Sequence, residues 1–274
     1  MAQLLDAHLH LWDPSERRHD WLDETPSLRR RFLPKDVDSG RHELVGAVFV
    51  QADCRDEEAL DEVRWVQRVA QPLVRAIVAY APVHLGAAAE PQVNALADEP
   101  LVVGVRRLLQ GRPSETILDR RLHEGVQLLG ERNLTYDICV THDQLPAVAA
   151  LVAACPHTQF VLDHLGKPAV GARRLDPWRA DIARLASFGN VSCKLSGLAT
   201  EAAPGWTSAD VCPYLEHALE VFGAARCMVG SDWPLVTLAG TMEQWFDAVC
   251  DVLTEEDRDA VLCGTASVVY GIDP

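Results

Sequence analysis

The sequence is short of positive charge. Its 274 residues carry 25 Lys and Arg against 40 Asp and Glu, a formal net charge of −15. That deficit argues against a general nucleic-acid binder, which neutralises phosphates with a Lys/Arg excess. Long apolar runs are missing as well: a stretch such as 147–155 is far below the ~20 residues that a membrane span needs. The opening residues Met1-Ala2-Gln3-Leu4-Leu5-Asp6 lack the basic segment and apolar core of a secretory leader. Among the eight cysteines there is no Cys-x-x-Cys pair, which disfavours a thiolate zinc site. Several, such as Cys139 and Cys227, sit in apolar runs and read as reduced, buried thiols of a cytoplasmic protein. No Pro/Gly/Ser linker and no repeat divides the chain, so 1–274 reads as one domain. With 48% hydrophobic and 24% charged residues it has a globular composition.

What is present is a recurring unit: a short β-rich run followed by a longer helical stretch. Eight such runs occur, at 4–8, 45–51, 75–80, 102–108, 134–140, 159–163, 191–195 and 226–230. Their interiors are continuously apolar, as in Gly46-Ala47-Val48-Phe49-Val50, which is how parallel strands covered on both faces read. The helical stretches carry end signals. Asp176-Pro177 predicts an N-cap with proline in the first turn. Ser208 is a candidate cap for a helix burying Val211, Leu215, Leu219 and Phe222 and stopping at Gly223. Thr241 is the candidate cap of a helix carrying Trp245, Val249 and Val252. A helix is expected over 143–155. Another is expected over 56–71, with Leu60, Val63, Val66 and Val69 inward and acids in its first turn.

Eight strand–helix units predict an α/β fold, a single (β/α)8 TIM barrel, and 274 residues leave about 34 per unit, which such barrels allow. A doubly wound sheet is the runner-up, but the Gly-x-Gly-x-x-Gly that usually follows its first strand is absent. The longest loop, 11–40, contains Trp12, Trp21 and Phe32. It either covers one mouth of the barrel or is a plain surface excursion.

Active sites of such barrels lie at the C-terminal strand ends. The first strand ends in Asp6-Ala7-His8-Leu9-His10, and residues two apart on a strand point the same way, so His8 and His10 are neighbours. The fourth strand carries Arg106 and Arg107. The sixth ends in Leu162-Asp163-His164-Leu165-Gly166-Lys167-Pro168, and the eighth in Gly230-Ser231-Asp232-Trp233-Pro234. Polar side chains at four such ends need partners or a function. Satisfied structural groups are the plain alternative.

Together with Lys194-Leu195-Ser196-Gly197, Gly264-Thr265-Ala266 and Tyr270-Gly271, these motifs resemble the amidohydrolase superfamily, and most of all its amidohydrolase-2 branch of sugar- and dicarboxylate-lactone hydrolases. The resemblance runs nearly end to end. It implies a barrel that hydrolyses a lactone ring, with Asp232 as the general base that activates water. His8, His10 and His164 would polarise the substrate carbonyl, either directly or through a divalent metal. Such a metal, zinc by preference, would be held by His8, His10 and Asp232. Arg106 would hold the substrate, with Arg112 as an added loop contact. One departure concerns the fifth strand, where metal-dependent members present a histidine or modified lysine. Here it reads Leu134-Thr135-Tyr136-Asp137-Ile138-Cys139-Val140, and His142 after it reads as a helix-start residue. A binuclear site is therefore disfavoured, and metal-independent catalysis stays open.

Beside these, Trp12 and Trp233 are candidates for packing on a sugar face, or for mouth-lining core. Tyr136 either donates to the substrate or is a core tyrosine. Asp163 either orients an imidazole or caps a turn, and Lys194 either binds substrate or forms a buried ion pair. The expected partner is a small-molecule lactone, with neither nucleic acid nor membrane, and the sequence does not indicate an oligomeric state. Rival readings are a metal-dependent decarboxylase of the same superfamily, a dicarboxylate-lactone hydrolase and a non-catalytic binding barrel. The scarcity of pocket arginines and the −15 charge favour a neutral lactone over an anionic one.

Overall fold

Eight parallel strands run through the computed structural model, which describes residues 3–273. Met1 and Ala2, which open the segment read above for a leader pattern, lie outside the described residues. The strands are β1 (Leu4–Leu9), β2 (Leu44–Val50), β3 (Val74–Ala79), β4 (Val102–Arg106), β5 (Thr135–Ile138), β6 (Phe160–Leu162), β7 (Val191–Leu195) and β8 (Cys227–Val229). Each pairs with the next in chain order. The ring closes between β8 and β1 at the rim: His10 N donates to Trp233 O at 2.7 Å and Asp232 N donates to His8 O at 2.8 Å. This is the (β/α)8 TIM barrel that the sequence predicts.

β4, β5, β6 and β8 are shorter than the apolar runs that predict them, because there the chain leaves the ladder early to build the rim. Arg107, Cys139 and Asp163 all lie just past a strand end. On β1 the pairing slips between Asp6↔Ala47 and Leu9↔Phe49, three residues against two. Such a bulge re-aims the strand, here next to His8.

Outward-facing strand residues such as Phe49, Ile77, Tyr136, Phe160 and Leu195 pack against the surrounding helices. The barrel interior holds Leu5, Ala7, Val48, Val78, Val161 and Met228, joined by Tyr270 and Ile272 from the C-terminal segment. The helix starts obey local chemistry. Thr241 caps Met242–Val252 by accepting from Gln244 N, as expected. For Ser208–Phe222 the cap is Thr207 rather than Ser208, since Thr207 and Asp210 form a reciprocal capping box. For Trp178–Ala186 the cap position falls on Pro177, one residue later than expected. The 56–71 segment is a 3-10 turn (Asp56–Glu58) and then the helix Ala59–Val69. Val63 and Val66 are buried, but Val69, at the last helical position, is exposed. His142 opens a 3-10 turn, His142–Gln144, before the helix Leu145–Ala154. All eight cysteines are free, and among the described residues no helix is long and apolar enough to cross a membrane.

Candidate active site

β1 delivers His8 and His10 to one side, with Nε2 to Nε2 at 3.1 Å. His10 Nδ1 lies 2.7 Å from Val50 O, so the ring donates there and leaves Nε2 bare. After β8 the chain turns, and Asp232 adopts the left-handed region at φ 57. Non-glycine residues rarely pay that strain away from functional sites. The turn is pinned by Asp6, whose carboxylate accepts from Ser231 N at 2.8 Å and Ser231 Oγ at 2.5 Å. Asp232 Oδ1 is thereby set 3.3 Å from His10 Nε2 and 3.7 Å from His8 Nε2.

After β6 the backbone again enters the left-handed region at His164, Leu165 and Lys167. This brings the His164 ring to 4.5 Å from that of His8 and His164 Nδ1 to 2.9 Å from Ser196 Oγ. Two motif glycines are required by this packing. A Cβ on Gly197 would fall 2.4 Å from His164 Nδ1, and one on Gly230 would fall 2.7 Å from His8 Cβ.

Beneath the histidines lies a buried charge network that the sequence reading only touched. Lys194 Nζ donates to Asp137 Oδ2 at 2.6 Å, and lies 3.1 Å from Asp163 Oδ1 and 3.3 Å from His8 Nδ1. Asp137 also accepts from Tyr270 Oη at 2.7 Å and Thr135 Oγ1 at 3.0 Å. Asp163 Oδ1 is 3.3 Å from His8 Nδ1, so this carboxylate orients the imidazole as well as anchoring cations. Arg106 Nη1 donates to Asp163 Oδ2 at 3.1 Å and to His8 Nε2 at 3.3 Å, and its Nη2 donates to Gln51 O at 2.7 Å. Buried charges are tolerable only when paired in this way.

The network sets protonation. Burial lowers His8 well below the ordinary imidazole value, with Asp163 opposing and Lys194 and His164 adding to it. Burial likewise lowers His164, to about 4, against the pull of Asp232 and Asp163. Burial alone would raise Asp232, but the surrounding imidazoles His164, His10 and His8 outweigh it and hold the carboxyl below its usual range. Neutral imidazoles facing a carboxylate result. The lone pairs of His8 Nε2, His10 Nε2 and Asp232 Oδ1 converge, and Asp232 Oδ1 is buried without a hydrogen-bond partner.

Converging acceptors of this kind repel one another; the Arg106 guanidinium eases this at His8 Nε2, and a bound cation would ease it for all three. These three buried residues offer ligand atoms that all lie within 4.8 Å of one another. Tetrahedral zinc sites place ligand atoms about 3.4 Å apart, so the three observed separations suit one such ion. A second group, His8, Asp163 and His164, meets the same distance test, but its Asp163 is already held by Lys194 and Arg106.

Above the histidines opens a cavity of about 580 Å³, lined among others by His10, His164, Asp232, Arg106, Lys167 and Cys139. Segment 11–40 supplies Trp12, Trp21 and Glu24 to its wall, so this loop covers the mouth. It is tied down by Trp12 Nε1, which donates to Arg30 O at 2.9 Å and Leu28 O at 3.2 Å. Trp21 Nε1 donates to Ala52 O at 2.9 Å.

Other candidates lie elsewhere. Trp233 packs edge-on against Phe32 and is not among the lining residues. Tyr136 faces away from Asp137, packs on Phe160 and leaves its buried hydroxyl unpartnered. Arg112 is exposed and reaches back to Leu108 O, outside the lining. Arg107 diverges from Arg106 and donates to Tyr80 Oη at 2.8 Å. Sequence reasoning did not single out Asp53, Glu24 and Gln110 in the lining, nor Tyr270 as a partner of Asp137. Asp53 directly follows a strand-end segment, Val50-Gln51-Ala52, and that placement was the available signal.

The family profile described as Amidohydrolase matches residues 5–272. The chain belongs to the amidohydrolase family. An L-fucono-1,5-lactonase of Burkholderia ambifaria is 32% identical, over 100% of this chain and 97% of its own length. An L-fucono-1,5-lactonase of Burkholderia multivorans is 31% identical, over 99% and 97% respectively. A crystal structure of a Burkholderia multivorans amidohydrolase with bound zinc matches with a TM-score of 0.85 at 28% identity, covering 99% of this chain and 100% of that one. This amidohydrolase is thus a hydrolytic enzyme, and metal binding is plausible for it, since it offers a candidate His/Asp site and a structural relative was solved with zinc bound.

Proposed function

We infer that this amidohydrolase opens the ring of a sugar-derived lactone by adding water across the ester bond. The observation that carries the reading is the convergence of His10, His164 and Asp232 on the floor of one covered cavity, with His8 packed directly behind them. The names of its L-fucono-1,5-lactonase relatives add support.

His8, His10 and Asp232 would hold one divalent ion, zinc by preference, and when bound it would polarise the ester carbonyl and acidify a water. With Ser196 donating to Nδ1, His164 carries its proton on Nε2 and donates to the carbonyl oxygen as negative charge develops there. Asp232 accepts a proton from the attacking water and returns it to the ring oxygen as the C–O bond breaks. Lys194 and Asp163 hold His8 in place from below. Arg106 presents its guanidinium edge to the substrate, and Trp12 and Trp21 exclude bulk water from above.

A metal-dependent decarboxylase is the rival reading. It is disfavoured at β5, which offers neither histidine nor lysine and whose Asp137 is engaged with Lys194 and Tyr270. The test is a pH-indicator screen of sugar and dicarboxylate lactones with and without chelator. Acid release from a sugar lactone is expected, with a loss of rate on chelation. No acid release from any lactone, with carbon dioxide formed from an aromatic acid, would instead favour decarboxylation.

A further inference from the structure

Two cationic side chains line the cavity, and their donors are spent differently. Arg106 gives Nη1 to Asp163 and His8 and Nη2 to Gln51 O. Lys167 has a single ionic partner among the described residues, Glu201, with Nζ 3.3 Å from Oε1. An ammonium carries three donors. The Lys167 side chain is 15% exposed and lines the cavity together with Asp232, His164 and Cys139, whereas Glu201 is not among the lining residues. Burial presses the ammonium towards its neutral form, but Cys139, Glu201 and Asp232 outweigh it and hold the pKa above its ordinary value. Lys167 is therefore charged at neutral pH.

The backbone is bent to put this charge there. Four successive residues, His164, Leu165, Gly166 and Lys167, lie in the left-handed region at φ 54, 53, 68 and 48. Trp178 Nε1 donates to Leu165 O at 2.8 Å and His142 Nδ1 to Lys167 O at 3.1 Å. A Cβ on Gly166 would fall 2.7 Å from Leu145 Cδ2. Non-glycine residues persist in such a conformation only where their surroundings over-determine it, and they cluster at functional sites. The turn that delivers His164 to the cavity delivers Lys167 to it as well.

Ring opening creates a charge that the neutral lactone lacks. Water adds to the acyl carbon, the bond to the ring oxygen breaks, and the acyl group ends as a carboxylate. One proton of the water reaches the ring oxygen through Asp232, and the other passes to solvent as the acid ionises. The new anion then shares the cavity with an ionised Asp232, and like charges repel.

We propose that Lys167 is a catalytic residue whose ammonium takes up the carboxylate as it forms from the lactone ester. The proposal rests on the lactonase reading of the same cavity. Lys167 keeps its proton throughout and acts by charge-assisted hydrogen bonds to the acyl oxygens. Glu201 compensates the ammonium before ring opening and shares it with the product afterwards. Because the lactone is neutral, this contact strengthens only as the reaction proceeds, which is the condition for lowering a barrier.

The test titrates wild type, Lys167→Met and Lys167→Arg with gluconate and with sorbitol, two probes of the same carbon chain that differ in the carboxylate. The ratio of the two affinities reports on the carboxylate contact alone. Lys167→Met is expected to lower the gluconate-to-sorbitol ratio about tenfold or more, and Lys167→Arg, which keeps the charge, to recover part of it. On the sugar lactone that wild type hydrolyses fastest, Lys167→Met should lower kcat about tenfold or more and leave KM within about threefold. A gluconate-to-sorbitol ratio within twofold of wild type in Lys167→Met would overturn the proposal, whether both probes weaken equally, the mark of a structural role, or neither does. Absence of gluconate binding to wild type, or an unchanged kcat in Lys167→Met, would overturn it as well. If no lactone is hydrolysed at all, the lactonase reading fails and the titration alone decides. A ratio that falls in Lys167→Met then upholds the carboxylate contact, and an unchanged ratio overturns it.

Discussion

Lys194 Nζ lies 2.6 Å from Asp137 Oδ2 inside the barrel, with both side chains fully buried. The same ammonium is 3.1 Å from Asp163 Oδ1, so one cation serves two carboxylates directly beneath His8. Removing it leaves two buried acids facing each other, whereas removing an acid with it relieves part of that cost. Lys194→Met is therefore expected to destabilise the fold by about 3–5 kcal/mol. Lys194→Met/Asp137→Asn should recover part of the loss. Urea denaturation of the two variants and wild type checks this, and equal stabilities for all three would show that the pair contributes nothing.

Acid should unfold the protein through its buried imidazoles. His164 is lowered from 6.5 to about 4 by burial, so the unfolded chain takes up a proton at a higher pH than the folded one. The stability held by the neutral ring is complete above about pH 6.5 and is lost as pH falls towards 4, on the order of 3 kcal/mol. His8 shifts in the same direction. Melting temperatures of wild type and His164→Gln between pH 7 and pH 4 are expected to show a shallower decline in the variant. Parallel curves would contradict this.

Much of this was legible in advance because strand–helix alternation and polar strand ends are local patterns. His8, His10, His164 and Asp232 all sit where a strand ends, and the structure brings those ends together. The partners of the buried charges were harder to read. Asp137 meets Lys194 and Tyr270 only because β5, β7 and the C-terminal segment share the barrel interior, a relation that no sequence spacing encodes. Asp53 was missed because a lone acid after a strand looks like any loop residue until its carboxylate is seen lining a cavity. Arg112 and Trp233 stand close to motifs along the chain, yet neither is among the residues that line the cavity.

The covering loop depends on Trp12 Nε1, which donates to the carbonyls of Leu28 and Arg30. Trp12→Phe keeps an aromatic ring but leaves those carbonyls without that donor, a cost of about 1–3 kcal/mol. Amide hydrogen exchange should accelerate over residues 26–33 while the strands keep their protection. Unchanged exchange there would show that the loop is held by packing alone.

Zinc should stabilise the folded chain if His8, His10 and Asp232 hold it. A ligand present at 100 times its Kd adds about 2.7 kcal/mol, so zinc is expected to raise the melting temperature and a chelator to lower it. His10→Gln removes one of the three donors and should abolish that response. Elemental analysis should find one zinc per chain in wild type and less in the variant. An equal zinc response in both proteins would place the ion elsewhere.

The most direct measurement is kcat/KM of Asp232→Asn on a hydrolysable sugar lactone, with the variant's melting temperature recorded alongside. General-base removal typically costs about 10²–10⁴ in rate. A fall of at least a hundredfold with the fold intact is the expected result. A folded Asp232→Asn enzyme working within tenfold of wild type would contradict a mechanism in which this carboxylate activates water.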